Sequence, residues 1–165
     1  MSPQANKPLA VLFVCLGNIC RSPLAEAAFR AEAERVGLDC RIDSAGTGDW
    51  HIGRPPDPRA CAVALRHGID ISGNRARQVS SEDFTSFSHV VALDSSNLRD
   101  LQALKPDQAS ASLSLLLDHA PGRSGEAVAD PYYGDEAGFE QTWADVQAGA
   151  QGLCQQFFST ARLPS

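Results

Sequence analysis

Six consecutive apolar residues, Leu9-Ala10-Val11-Leu12-Phe13-Val14, constrain this chain more than any other segment. A strand with one wet face alternates apolar and polar side chains, so an unbroken run of this kind asks for cover on both faces. The run is far short of the roughly 18 apolar residues that read as a membrane span. It ends in a small polar loop, after which Ser22-Pro23-Leu24-Ala25-Glu26-Ala27-Ala28-Phe29-Arg30 opens a helix. Proline suits the first turn, where its missing N–H is no loss, and Gly37 closes the helix. The same alternation recurs downstream. Cys40 to Ser44 reads as a second strand, and Ala45 to Pro58 as a turn-rich stretch. Arg59 to His67 reads as a helix stopped by Gly68, His89 to Leu93 as a third buried strand, and Ser95 to Leu104 as a helix. Ser112 to Leu117 reads as a fourth strand. Phe139, Trp143, Val146, Leu153 and Phe157 have helical spacing within Phe139 to Phe158. Alternating strands and helices predict an α/β fold, a parallel sheet with helices on both faces, whose ligands sit at the carboxyl ends of the strands. A length of 165 residues suits one domain over 1–165, with residues 1–7 and about 160–165 expected as a disordered extension and tail.

Charge and cysteine usage narrow the function. The net charge is −6 and there is no lysine-rich run, which argues against a broad nucleic-acid surface. Met1 to Lys7 lacks the basic-then-apolar layout of a secretory signal, and no membrane association is expected, so the cytoplasm is the expected compartment. Five cysteines at irregular spacing, Cys15, Cys20, Cys40, Cys61 and Cys154, do not form a disulfide framework. No second Cys or His pair stands near Cys15 and Cys20 to complete four zinc ligands, so no metal is expected.

Cys15 directly follows the first strand, and Arg21 follows it after five intervening residues: Cys15-Leu16-Gly17-Asn18-Ile19-Cys20-Arg21-Ser22. In a strand-to-helix turn the backbone N–H groups can converge on an anion, reinforced by the positive end of the helix. That field favours a thiolate, the nucleophilic form of cysteine. Arg21 supplies a planar fork that takes two phosphate oxygens at once. Gly17 and Asn18 are the residue types that best tolerate a left-handed backbone. Ser22 has a hydroxyl to offer the thiolate.

The pattern Cys-x-Gly-Asn-x-Cys-Arg-Ser-Pro resembles the phosphate loop of the low-molecular-weight protein-tyrosine phosphatases. The likeness continues through Leu24-Ala25-Glu26, Asp43-Ser44-Ala45, Gly53-Arg54-Pro55-Pro56-Asp57, Arg66-His67-Gly68-Ile69, Ala76-Arg77-Gln78, Asp94-Ser95-Ser96-Asn97-Leu98 and Asp130-Pro131-Tyr132-Tyr133-Gly134. The resemblance implies a three-layer sandwich around a four-stranded parallel sheet, and no cofactor. It implies that Cys15 attacks phosphorus while Asp130 protonates the leaving phenolate, and that Asp130 then activates water to hydrolyse the phosphocysteine. It also implies that Asn18, Ser44 and His67 hold the loop in shape, that Asp94 pairs with the loop, and that Trp50, Tyr132 and Tyr133 wall the substrate ring. The implied partners are phosphotyrosine proteins, with a bacterial tyrosine kinase expected in a bacterial setting, and inorganic phosphate or vanadate as inhibitors. Two other readings stand beside this one. An arsenate reductase on the same loop needs further cysteines to carry oxidising equivalents away, and no close pair follows the third strand. A phosphate-binding or redox-sensing module has no use for nucleophile, arginine and acid together. Phosphoarginine phosphatases of the family tend to carry threonine where Ile19 stands. Cys20, in the same curled loop, is expected to guard Cys15 against over-oxidation.

Overall fold

The computed structural model describes residues 9–162, so the expected extension over 1–7 lies outside the described residues. Strand β1 (Ala10–Cys15) occupies the middle of a four-stranded parallel sheet of order β2-β1-β3-β4, with β2 at Arg41–Gly46, β3 at His89–Ala92 and β4 at Ser112–Leu115. Every residue of β1 is buried, as the unbroken apolar run requires. Val11, Phe13 and Cys15 enter one core, and Ala10, Leu12 and Val14 the other.

Helices α1 (Arg21–Val36), α2 (Pro58–Arg66) and α5 (Glu136–Arg162) cover the first face, supplying Leu24, Phe29, Val63, Phe139 and Leu153. The short α3 (Asp83–Ser86) and α4 (Ser95–Leu104) cover the second with Phe84 and Leu101. The α1 helix ends as its sequence dictates: Gly37 takes φ 75°, and Leu38 N–H reaches back to the Ala33 carbonyl at 2.8 Å. Helix α5 continues to Arg162, and the rest of the expected tail lies outside the described residues.

Two boundaries differ from expectation for tertiary reasons. Strand β2 runs on to Gly46 because it stays in register with β1 as far as Cys15↔Gly46. Strand β4 stops at Leu115, and Leu116–His119 winds into a 3₁₀ turn that buries Leu116 and Leu117 under α5. The chain leaves β1 for β2 on one side and later places β3 on the other. Connections that part in this way open a crevice at the carboxyl end of the central strand, where Cys15 stands.

Candidate active site

The loop after β1 turns its carbonyls outward. Cys15 O accepts from Thr47 N–H (2.9 Å), Leu16 O from Gly48 N–H (2.9 Å) and Ile19 O from Asp57 N–H (2.8 Å). In a trans peptide the following N–H points the opposite way, so the amides of Leu16, Gly17 and Cys20 face the concave side. Helix α1 begins on that side with no side-chain cap and no acidic residue in its first turn. Its positive end is thus left for an anion.

Asn18 is the residue that shapes the turn. It takes φ 58°, the left-handed region that asparagine tolerates. Its Oδ1 accepts from Arg77 N–H at 3.0 Å, and its Nδ2 donates to Ser22 Oγ at 2.8 Å and Ser44 Oγ at 3.0 Å. Its own backbone N–H donates to Cys15 Sγ at 3.3 Å. Ser22 Oγ lies 3.0 Å from Cys15 Sγ and 3.3 Å from the Ala45 carbonyl, so its one proton can turn to the sulfur or away from it. Ser44 Oγ donates to Glu26 Oε1 at 2.8 Å, and Arg30 donates to Glu26 Oε2 at 2.9 Å. Gly17, in contrast to the expectation from its type, does not adopt positive φ. A Cβ there would stand 2.9 Å from the ring of His51, which would have to shift at the rim.

Arg21 is buried to 3% exposure with its fork aimed into the cradle. Its NH1 donates to Asp94 Oδ2 at 2.7 Å and to the Val128 carbonyl at 3.0 Å. Burial works against the charge, but Cys15, Asp94 and Asp130 outweigh it and raise the pKa of Arg21 above its ordinary value. Asp94 serves two elements at once, since its Oδ1 also caps α4 by accepting from Asn97 N–H at 2.7 Å. Asp130 stands across the cradle, its Oδ2 3.6 Å from Arg21 NH2 and its Oδ1 accepting from Tyr132 N–H at 3.1 Å.

These groups converge on one cavity of about 400 Å³, with Cys15, Leu16, Gly17, Ile19, Cys20 and Arg21 in its floor and Trp50, His51, Asp130, Tyr132 and Tyr133 around it. The wall is open and aromatic: Trp50 is 68% exposed and Tyr133 95%. The Tyr132 and Tyr133 rings meet edge to face at 4.9 Å. Cys20 is a different kind of thiol. Burial first, then the negative charges of Asp57, Cys15 and Asp130, push its pKa far above the usual thiol range.

His67 does not join the loop. It ends α2, stacks on Trp143 of α5 with ring centroids 4.7 Å apart, and places Nε2 3.6 Å from Glu140. Helix α2 runs along α5, so its last residue faces α5 and not the strand ends. The supporting bonds expected of His67 are made instead by Arg77 through its backbone and by Glu26 through Ser44. Sequence reading also passed over His51 at the rim, and Arg59, which binds Asp57 and the carbonyls of Tyr132 and Gly134. Asp57-Pro58 did carry a helix-start signal, and Asp57 accepts from Arg59 N–H at 2.8 Å. Nothing in the sequence marks where the Arg59 side chain goes.

The family model for low molecular weight phosphotyrosine protein phosphatase matches residues 10–162. A low molecular weight phosphotyrosine protein phosphatase of Schizosaccharomyces pombe is 48% identical over 137 residues, covering 81% of this chain and 87% of the relative. The protein-tyrosine-phosphatase YfkJ of Bacillus subtilis is 41% identical over 147 residues, covering 88% and 93%. Its crystal structure superposes with a TM-score of 0.87 at 37% identity, covering 95% of this chain and 99% of that one. A Drosophila arginine phosphatase superposes with a TM-score of 0.82 at 29% identity, covering 94% and 99%.

Proposed function

The chain belongs to the low molecular weight phosphotyrosine protein phosphatases, and from that premise we propose that its own Cys15, Arg21 and Asp130 carry out phosphotyrosine hydrolysis in two steps. The observation that carries this is their convergence: a thiol, a buried guanidinium and a carboxylate share one aromatic-walled cavity. In the first step the Cys15 thiolate attacks phosphorus, and the bond to the phenolic oxygen breaks. Loop amides and the free edge of Arg21 take the phosphoryl oxygens, whose charge is the main thing to be stabilised. Asp130 gives its proton to the leaving phenolate. Acid help of this kind is worth about 100- to 10,000-fold. In the second step Asp130 takes a proton from water as it attacks the phosphocysteine, inorganic phosphate leaves, and the sulfur recovers its negative charge. Ser22, 3.0 Å from Sγ, turns its proton toward the sulfur at that point.

Ile19, apolar and nearly buried in the floor, together with Trp50, Tyr132 and Tyr133, favours an aromatic ring over a guanidinium in the slot. Phosphotyrosine proteins, a bacterial tyrosine kinase among them in a bacterial setting, are the proposed partners, with phosphate and vanadate as competing anions. All five cysteines are free thiols, which suits the reducing cytoplasm as the working compartment. Cys20 is proposed as the redox guard. Peroxide converts the Cys15 thiolate to a sulfenic acid, and Cys20 displaces water from it to form a disulfide that a thiol reductant reopens. Neutralising Cys15 in the first of these steps removes one of the charges that hold the Cys20 proton in place.

The deciding experiment compares phosphotyrosine, phosphoserine and phosphoarginine peptides without added metal, for the wild type and Cys15→Ser. The wild type should prefer phosphotyrosine, and Cys15→Ser should lose turnover while still binding phosphate. Residual turnover near the wild-type level would remove Cys15 from the nucleophile's place. Equal kcat/KM for phosphoarginine would overturn the substrate reading. Asp130→Ala should lose kcat steeply on phenyl phosphate and little on dinitrophenyl phosphate, whose leaving group needs no proton.

A further inference from the structure

We propose that Arg59 is the positioning residue that sets Asp130 at its working distance from the phosphate loop. The proposal rests on the reading of Asp130 as general acid. The segment that carries that carboxylate is tied to α5 at its two ends, by Thr142 Oγ1 to the Ala129 carbonyl at 3.5 Å and by Gly138 N–H to the Asp135 carbonyl at 3.1 Å. Among the described residues, the bonds within 130–135 are local, Tyr132 N–H to Asp130 and Gly134 N–H to the Pro131 carbonyl. Between those ends, the hydrogen bonds from outside the segment to its backbone come from one side chain: Arg59 NH2 donates to Tyr132 O at 2.8 Å and NH1 to Gly134 O at 3.0 Å.

Arg59 is itself fixed from the other side. Its Nε and NH2 each reach one oxygen of Asp57 at 3.0 Å, a fork-to-fork pair. The guanidinium lies 4.6 Å from the centroid of the Phe139 ring, which is fully buried at the start of α5. Asp57 is part of the phosphate-loop frame, since its backbone N–H donates to Ile19 O at 2.8 Å. A continuous path therefore runs from Ile19 through Asp57 and Arg59 to the carbonyls two and four residues beyond Asp130. It fixes the gap between the loop that grips phosphorus and the loop that delivers the proton. Four donors aimed in one plane at a carboxylate and two carbonyls are within reach of a guanidinium and not of an ammonium, so lysine cannot substitute. Arg59 does not line the cavity floor and touches no reacting atom, so it acts through Asp130.

The test is a leaving-group series run on Arg59→Lys, Arg59→Gln, Asp130→Ala and the double variant Arg59→Gln/Asp130→Ala. A misplaced acid costs rate only where a proton is needed. Both Arg59 variants should lose about tenfold or more in kcat on phenyl phosphate and less than about threefold on dinitrophenyl phosphate. The inhibition constant for inorganic phosphate should stay within about twofold, because the cradle is intact. In the double variant the Arg59 change should add less than about twofold to the loss from Asp130→Ala, as expected for groups acting as one unit. Uniform losses across the series, weakened phosphate binding, or additive losses in the double variant would each overturn the proposal. Should Arg59→Gln fold poorly, Arg59→Lys keeps the charge and the contact with Phe139, and its series decides alone. A flat series for Asp130→Ala would instead bring down the acid reading itself, and Arg59 with it.

Discussion

Cys15 and Cys20 share a cavity, yet their surroundings prepare them for opposite behaviour. Cys15 has Ser22 Oγ at 3.0 Å and the Asn18 amide at 3.3 Å, both able to donate to a negative sulfur. Cys20 has burial and three negative neighbours, all of which keep its proton on. A raised thiol pKa means the neutral form persists as pH rises through the usual thiol range. Iodoacetamide at neutral pH should therefore alkylate Cys15, with protection by inorganic phosphate, and leave Cys20 unlabelled until strongly alkaline pH. Peptide mapping that found Cys20 labelled as fast as Cys15 near pH 7 would contradict this assignment. The sequence marked Cys15 as the nucleophile and Cys20 as its guard, but what raises the Cys20 pKa, burial first and then Asp57, Cys15 and Asp130, is tertiary: Asp57 and Asp130 stand 37 and 110 residues along the chain from Cys20. His67 shows the reverse case. Its neighbours in sequence matched the family pattern, and its real neighbours are Trp143 and Glu140.

At the scale of elements, the glycines of α5 are where packing overrules propensity. Gly152 is helical, and alanine at an ordinary helical position would gain about 1 kcal/mol. A Cβ at Gly152 would stand 1.8 Å from the His119 backbone carbonyl in the 3₁₀ turn, which has no side-chain freedom with which to yield. Gly152→Ala should therefore lower unfolding stability in urea by about 1–3 kcal/mol, the usual scale of overpacking. A gain in stability would mean that α5 and the turn do not meet as described. Gly46 makes the same kind of contact beside the site, where a Cβ would come 2.7 Å from Leu16 O and 3.1 Å from Asn18 N. Gly46→Ala should distort the phosphate loop, weakening phosphate inhibition more than it lowers the melting temperature. The strands and long helices were legible because their periodicity is local. The short α3 was not, since four residues give no period to read, and the 3₁₀ turn was hidden inside an apolar run that continues from β4.

For the whole molecule, the net charge of −6 means that anion binding is won locally, by the amide cradle and Arg21 against the overall field. That site belongs to the folded state alone, so phosphate should stabilise the fold by mass action. At about 100 times the dissociation constant the gain is about 2.7 kcal/mol. For a chain of this size that corresponds to a rise in Tm of about 5–10 °C. Differential scanning calorimetry at increasing phosphate should show this rise, and Arg21→Lys should abolish most of it. An unchanged Tm in the wild type would mean the cradle does not form a phosphate site in solution.

The sequence by itself determined the central strand, the alternation that makes the sheet parallel, and the Cys15-to-Arg21 loop with its left-handed Asn18. These depend on neighbours a few residues apart, where propensity, periodicity and turn chemistry act. Only the tertiary structure decided which side chains meet across the strand ends. Asp94 on Arg21, Glu26 behind Ser44, Arg77 under Asn18, His67 on Trp143, Arg59 on the Tyr132 carbonyl and Arg21 on the Val128 carbonyl join residues from 18 to 107 positions apart. Such pairings follow from how helices seat on the sheet, a three-dimensional packing problem that no local pattern encodes.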